Sequence, residues 1–229
     1  VHALAIAGSA QGEASDDSSF SAGIVLNGAV VVTDLNIATK ALVTNGSDIT
    51  TAENGSQDQV FVVASNQLIS QTDAGGASIS GAASVTGTSV DIAIGGADNT
   101  FNSSSQTLAA VETSDVTAEA LNVLAFLVPE FTNDAFGVAV SVAFSTGSFA
   151  GAFGLSGASM QADISDTAEA GILNSNIDVT GNVFVWADDK TELSTGSGSG
   201  SLQVSISGDA SVALAPSAVK NSVSMGNQV

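Results

Sequence analysis

The chain has 229 residues and a formal charge of −20, from 23 acidic residues set against three basic ones. That balance argues against DNA, RNA or an anionic membrane as a partner, because phosphate recognition needs clustered Lys and Arg. With no cysteine, disulfides and thiolate metal sites are excluded, and a hydrophobic fraction of 44% is too high for a disordered chain.

The chain opens at Val1, which reads as a mature N-terminus left after processing. His2, Leu4 and Ile6 alternate with small residues, the mark of a strand. Gly8 to Ser19 reads as a flexible acidic linker carrying Glu13, Asp16 and Asp17. Residues 1–19 are therefore expected to form a strand and linker that could act as a donor strand for a neighbour. Residues 20–229 are expected to form a single domain.

A repeat lies inside that domain. Gln59-Val60-Phe61-Val62-Val63-Ala64-Ser65-Asn66 matches Asn182-Val183-Phe184-Val185-Trp186-Ala187-Asp188-Asp189 at an offset of 183 − 60 = 123. Upstream, Thr39 to Val43 matches Ala168 to Ile172, and Ser47 to Thr50 matches Asn176 to Thr180. The change in offset between these blocks places a longer exposed loop in the first copy, between Thr51 and Gln59, holding Glu53, Asn54, Gly55 and Asp58. Two related halves follow, at about 34–112 and 157–222. Short strands repeated along one chain predict an all-β fold, a parallel β-solenoid or β-helix, with small or β-branched residues stacked inward. The alternative is an antiparallel β-sandwich or jelly roll.

An insert at about 115–153 separates the halves. Asp115 to Leu127 fits a short helix by the spacing of Leu121, Leu124 and Val128, with Asp115 as a cap and Pro129 as a stop. After it, Phe136, Val138, Val140, Val142 and Phe144 share one parity of a long strand. Seven of the ten Phe lie between Phe101 and Phe153, so the densest core is expected there. At the C-terminus, Val223 and Met225 share a parity, as an edge strand would. Leu4, Ile6, Val223 and Met225 are thus the candidate assembly residues.

No catalytic constellation is apparent. His2 is the only histidine, and there is no Arg. Triads and phosphoryl transfer therefore have no parts. The carboxylate pairs Asp163/Asp166 and Asp188/Asp189 sit at predicted turns. No enzyme activity and no catalytic residue are expected. Calcium is the plausible small partner, with Asp16, Asp17, Asp188 and Asp189 as weak candidates, although the spacing of an EF-hand is missing. Asn45, Asn54 and Asn102 open Asn-x-Ser sequons in predicted loops.

The segment Ser165 to Leu193 resembles the repeats of giant bacterial surface adhesins of the filamentous-haemagglutinin and leukotoxin-like type. Its Thr167-Ala168-Glu169-Ala170-Gly171-Ile172, Asn176-Ile177-Asp178-Val179 and Gly181-Asn182-Val183-Phe184-Val185-Trp186-Ala187 carry the likeness. It extends well from Gly157 to Val212 and loosely from Asp34 to Val90. The resemblance implies a secreted or cell-surface β-helix and carries over no catalytic residue. The expected function is a secreted structural subunit that self-assembles into an extracellular filament, sheath or surface layer. Its partners would be copies of itself, with no nucleic acid and no membrane insertion. The alternative is an adhesin passenger segment that binds a host or glycan surface, or a carbohydrate-binding module if Trp186 proves exposed.

Overall fold

The computed structural model describes residues 2–15, 20–51 and 58–228. Along the first turn of the chain lie β1 (His2–Ser15), β2 (Phe20–Leu35), β3 (Ala38–Val43), β4 (Asp48–Thr50) and β5 (Gln59–Asn66). The second holds β6 (Ile69–Ser84), β7 (Thr88–Ser103), β8 (Gln106–Glu112), β9 (Asp115–Ala118) and β10 (Ala120–Leu127). The third holds β11 (Glu130–Ser145), β12 (Phe149–Ile164), β13 (Thr167–Leu173), β14 (Asn176–Val179) and β15 (Val183–Asp189). The fourth holds β16 (Glu192–Ser207), β17 (Ala210–Leu214) and β18 (Ser217–Met225).

Every strand pairing is parallel, and each strand pairs with its counterpart one turn along. Five sheets stack in register, an all-β arrangement consistent with a parallel β-solenoid. The antiparallel alternative does not hold. Thr88 pairs with Phe149, and Phe149 with Ala210, so the coil repeats at 149 − 88 = 61 residues. The offset of 123 read from the sequence spans two coils: Val60 pairs with Leu121, and Leu121 with Val183. In the first coil Thr50 and Gln59 are nine positions apart, and their partners Thr117 and Ala120 only three. The extra residues of the first coil thus fall where the sequence put them, and residues 52–57 themselves lie outside the described residues.

Two expectations are overturned. There is no helix among the described residues: Asp115 to Leu127 forms β9 and β10. Leu121, Val123, Ala125 and Leu127 are fully buried on one parity. The Leu121 N–H donates to Asn182 O at 3.0 Å and the Val128 N–H to Asn66 O at 2.9 Å. A helix there would leave the facing edges of β5 and β15 without these partners, and parallel pairing wins because it satisfies backbone groups on both sides at once. Residues 115–153 are therefore ordinary parts of the second and third coils, not an insert. Likewise Gly8 to Ser15, read as linker, continues β1, which pairs along its whole length with β6 of its own chain.

In cross-section the coil has a flat blade and a smaller lobe. The blade is the sheet β1–β6–β11–β16 lying on the sheet β2–β7–β12 with β17 and β18. Its inward residues in the middle coils are mostly small: Ala135, Gly137, Ala139, Ser141 and Ala143 on β11 face Ala93, Gly95 and Ala97 on β7. Sheets this close leave no room for large side chains. A Cβ built on Gly76 would overlap the carbonyl oxygen of Gly96, and one on Gly137 would overlap that of Gly157. Polar side chains bridge the gap. Asp91 is fully buried and accepts from the hydroxyl of Ser80, from Ser141 Oγ at 2.6 Å and from the Val142 N–H at 2.9 Å. Asn99 Nδ2 donates to the carbonyls of Thr72 at 2.7 Å and Asp134 at 3.0 Å. A buried carboxylate such as Asp91 is tolerated because donors meet it.

The blade widens toward the lobe, and there the apolar core begins. Phe101 packs on Phe131 with ring centroids 4.7 Å apart at 51°, beside Met160 and Ile164. The lobe has its own core of Val62, Val111, Val116, Leu121 and Val123. Most Phe of the Phe-rich stretch are not in either core. Phe136 is 56% exposed and Phe144 44%. The close approach of the blade sheets reserves the inside for Ala, Gly and Ser and puts the large parity of that strand outside, while the largest fully buried apolar side chains still lie between Phe101 and Ile164, where the sequence placed the densest core.

Candidate functional site

The long sheets carry their bulk outward. On β1–β6–β11–β16, in-register pairing makes rows across the four coils. One row is Ile6, Gly75, Phe136 and Gly198; another is Ala10, Ile79, Val140 and Leu202; a third is Ala14, Ala83, Phe144 and Ile206. The two rows between them hold Gly8, Ala77, Val138 and Gly200, and Gly12, Gly81, Val142 and Val204. None of these five rows carries a polar side chain. The next row, Leu4, Asp73, Asp134 and Gly196, is the acidic border. Contiguous apolar surface of this extent marks an interface, whereas singly exposed apolar residues need no explanation.

The opposite outer face is divided. Three neighbouring rows are apolar: Ala22, Val90, Gly151 and Val212; Ile24, Ile92, Phe153 and Leu214; and Leu26, Ile94 and Leu155; while Val30, Asp98, Ser159 and Lys220 form a mixed one. Between the halves runs a row of Gly28, Gly96, Gly157 and Ala218, the floor of a shallow groove of about 430 Å³.

On the lobe, Trp186 is 49% exposed and outward, next to the outward Phe184. Their rings lie 6.0 Å apart and nearly parallel, at 7°. The strand alternation read from the sequence allowed this placement, and no helix among the described residues covers Trp186.

Of the assembly candidates, Leu4 and Ile6 are exposed on the outer face of β1. Val223 and Met225 lie on β18, level with the inward Ala162 and Ile164, and are exposed at the open end of the core. The structure therefore does not bring the four together. The sequence reading missed the rows on β6, β11 and β16, although the parity of Phe136 to Phe144 was the signal.

Among the metal candidates, Asp16 and Asp17 lie outside the described residues. Asp188 and Asp189 are adjacent on a strand and so point to opposite faces. Asp188 pairs with Lys190 Nζ at 2.8 Å. Asp189 Oδ1 accepts from the N–H of Thr191 at 3.0 Å and from its hydroxyl at 2.6 Å. Among the described residues no three His, Cys, Asp or Glu side chains gather as a metal centre would need. The pair Asp163/Asp166 also splits: Asp163 is outward and Asp166 fully buried.

Asp166 has the perturbed carboxyl. Burial pushes it above its ordinary value of 3.8, opposed by the Ser105 N–H and the Ser103 hydroxyl donating to Oδ1, and Asp189 pushes it further up. The unfolded chain therefore loses this proton first as pH rises, and stability falls from about the ordinary carboxylate value upward through the folded one. Asp166→Asn keeps an acceptor for Ser103 and Ser105 and removes the titration. Its melting temperature relative to the wild type should climb between acid and neutral pH. A constant difference across that range would show that Asp166 is not the source.

The chain matches no family model, no curated protein and no solved structure. Its functional reading rests on its own geometry.

Proposed function

We propose that this chain is a structural module of a secreted filament, sheath or surface layer, of the kind that bacterial adhesin repeats build. The observation that carries the reading is the constant register of the coils. Each coil presents the next with the same parallel strand edges, and the strands of the first and last coils present edges of the kind buried between coils. A further coil from a second copy would pair by the same hydrogen bonds, which makes end-to-end β stacking the favoured mode of growth. Exchange of the N-terminal strand is disfavoured, because β1 is already paired within its own chain. Negative-stain electron microscopy of the purified chain should show rods longer than one molecule. Isolated short particles at every concentration and ionic strength would reject the reading, and rods that dissolve on adding a chelator would bring calcium back.

Trp186 and Phe184 favour a second reading, adhesion to a glycan. Two half-exposed parallel rings form an apolar platform of the kind that sugar rings stack on. Trp186 is the only Trp and there is no Tyr, so the protein's fluorescence reports on this site alone. Titration with insoluble and soluble polysaccharides should shift the emission if the platform binds them. Binding that survives Trp186→Ala would place the glycan elsewhere, and no binding at all would remove this reading.

A further inference from the structure

We infer that two copies of this chain pair face to face through the outer surface of the sheet β1–β6–β11–β16. Such lateral pairing goes beyond end-to-end growth and does not depend on it. Three observations on that face select a second copy as its occupant.

The first is charge. The chain carries −20 overall, so two copies repel through most approaches, yet five successive rows of this face hold no polar side chain. The second is size. Five outward positions on each of four strands cover roughly 30 Å by 19 Å, from about 3.3 Å per residue and about 4.8 Å between strands. Two such faces together would bury on the order of 1,100 Å², just above the roughly 1,000 Å² that a specific interface needs.

The third is relief. On β11 the outward residues Phe136, Val138, Val140, Val142 and Phe144 make a continuous ridge. Beside it, β6 and β1 show mostly Gly and Ala, with Ile79 at the centre, and make a trough. Ridge and trough on one face are what an isologous two-fold contact requires. An axis along the strands, between β6 and β11, lays the ridge of each copy over the trough of the other. The same axis brings the acidic borders of the two copies, Asp73 and Asp134, to one edge. Association is therefore expected to strengthen with ionic strength, as screening weakens that repulsion.

Sedimentation velocity of the full chain, over a hundredfold range of concentration and at low and high salt, tests the pairing. A monomer–dimer equilibrium that tightens with salt is expected. Ile79→Asp should raise the dissociation constant by at least about tenfold, since a buried unpaired charge costs more than 1.4 kcal/mol. Ile94→Asp, on the opposite outer face, should leave it unchanged. Because the chain has no Cys, single-cysteine variants give a control that keeps the surface apolar. Ile79→Cys should be joined to its copy by a short bis-maleimide cross-linker, which spans the gap between two packed faces that a disulfide does not, and Ile94→Cys should not. A chain monomeric throughout, or a dimer equally sensitive to both faces, overturns the inference. Unpaired single-width rods in the microscope would overturn it too, while leaving the assembly reading intact.

Discussion

Replacing Gly76 or Gly137 with alanine is expected to lower the melting temperature by several degrees, although each change adds a single methyl group. The new Cβ would overlap a backbone carbonyl of the opposing sheet, Gly96 or Gly157. A carbonyl in a sheet bonded on both sides cannot turn aside as a flexible side chain would. Relief requires the two sheets of the blade to separate locally, which would also stretch the bridges from Asp91 and Asn99. Overpacking of this kind costs about 1–3 kcal/mol, and in a chain of this size each kcal/mol lowers the melting temperature by about 2–4 °C. Gly12→Ala is the control, since nothing lies within 4 Å of its added Cβ. Thermal unfolding followed by circular dichroism separates the cases. If Gly137→Ala melts with the Gly12→Ala control, the close approach of the sheets is wrong.

Phe101→Ala is expected to cost about 3–5 kcal/mol, the range for emptying a buried aromatic site. Its ring is fully buried and meets Phe131 at 4.7 Å where the blade widens. The surrounding walls are strands fixed in register by the coils on either side, so the cavity has little freedom to collapse. Phe136→Ala, on the outer face, should cost under about 1 kcal/mol, as surface substitutions do. The comparison belongs at a concentration below that at which copies pair, where Phe136 is not covered by a second chain. Equal losses for the two variants, measured by chemical denaturation, would show that the Phe-rich strand does turn its aromatic parity inward.

That pair of variants also marks the boundary between what the residues reveal singly and what they reveal only together. Strand alternation at Val60, Val62 and Ala64, the matching block at Val183, Val185 and Ala187, and the extra loop before Gln59 were all legible, because each depends on local period and on likeness between segments of one chain. The middle copy, Leu121 to Leu127, was not. Leu121, Leu124 and Val128 satisfy a helical spacing as well as Leu121, Val123 and Ala125 satisfy a strand spacing, and short apolar runs cannot choose between them. The choice is made by β5 and β15, whose edges need partners. The repeat was therefore seen at two coils rather than one.

The same limit applies to the faces. By itself the sequence determined an acidic, β-rich, repeating chain, and which residues share a parity. Only the tertiary structure decided which parity is inside. Alternation is symmetric under exchange of the two faces, so the large apolar set of Phe136 to Phe144 reads as core by default. In the folded chain the two long sheets come so close at Gly76, Gly95 and Gly137 that only small residues fit between them. That one distance turns the bulk outward and creates the apolar face on which the inferred pairing rests.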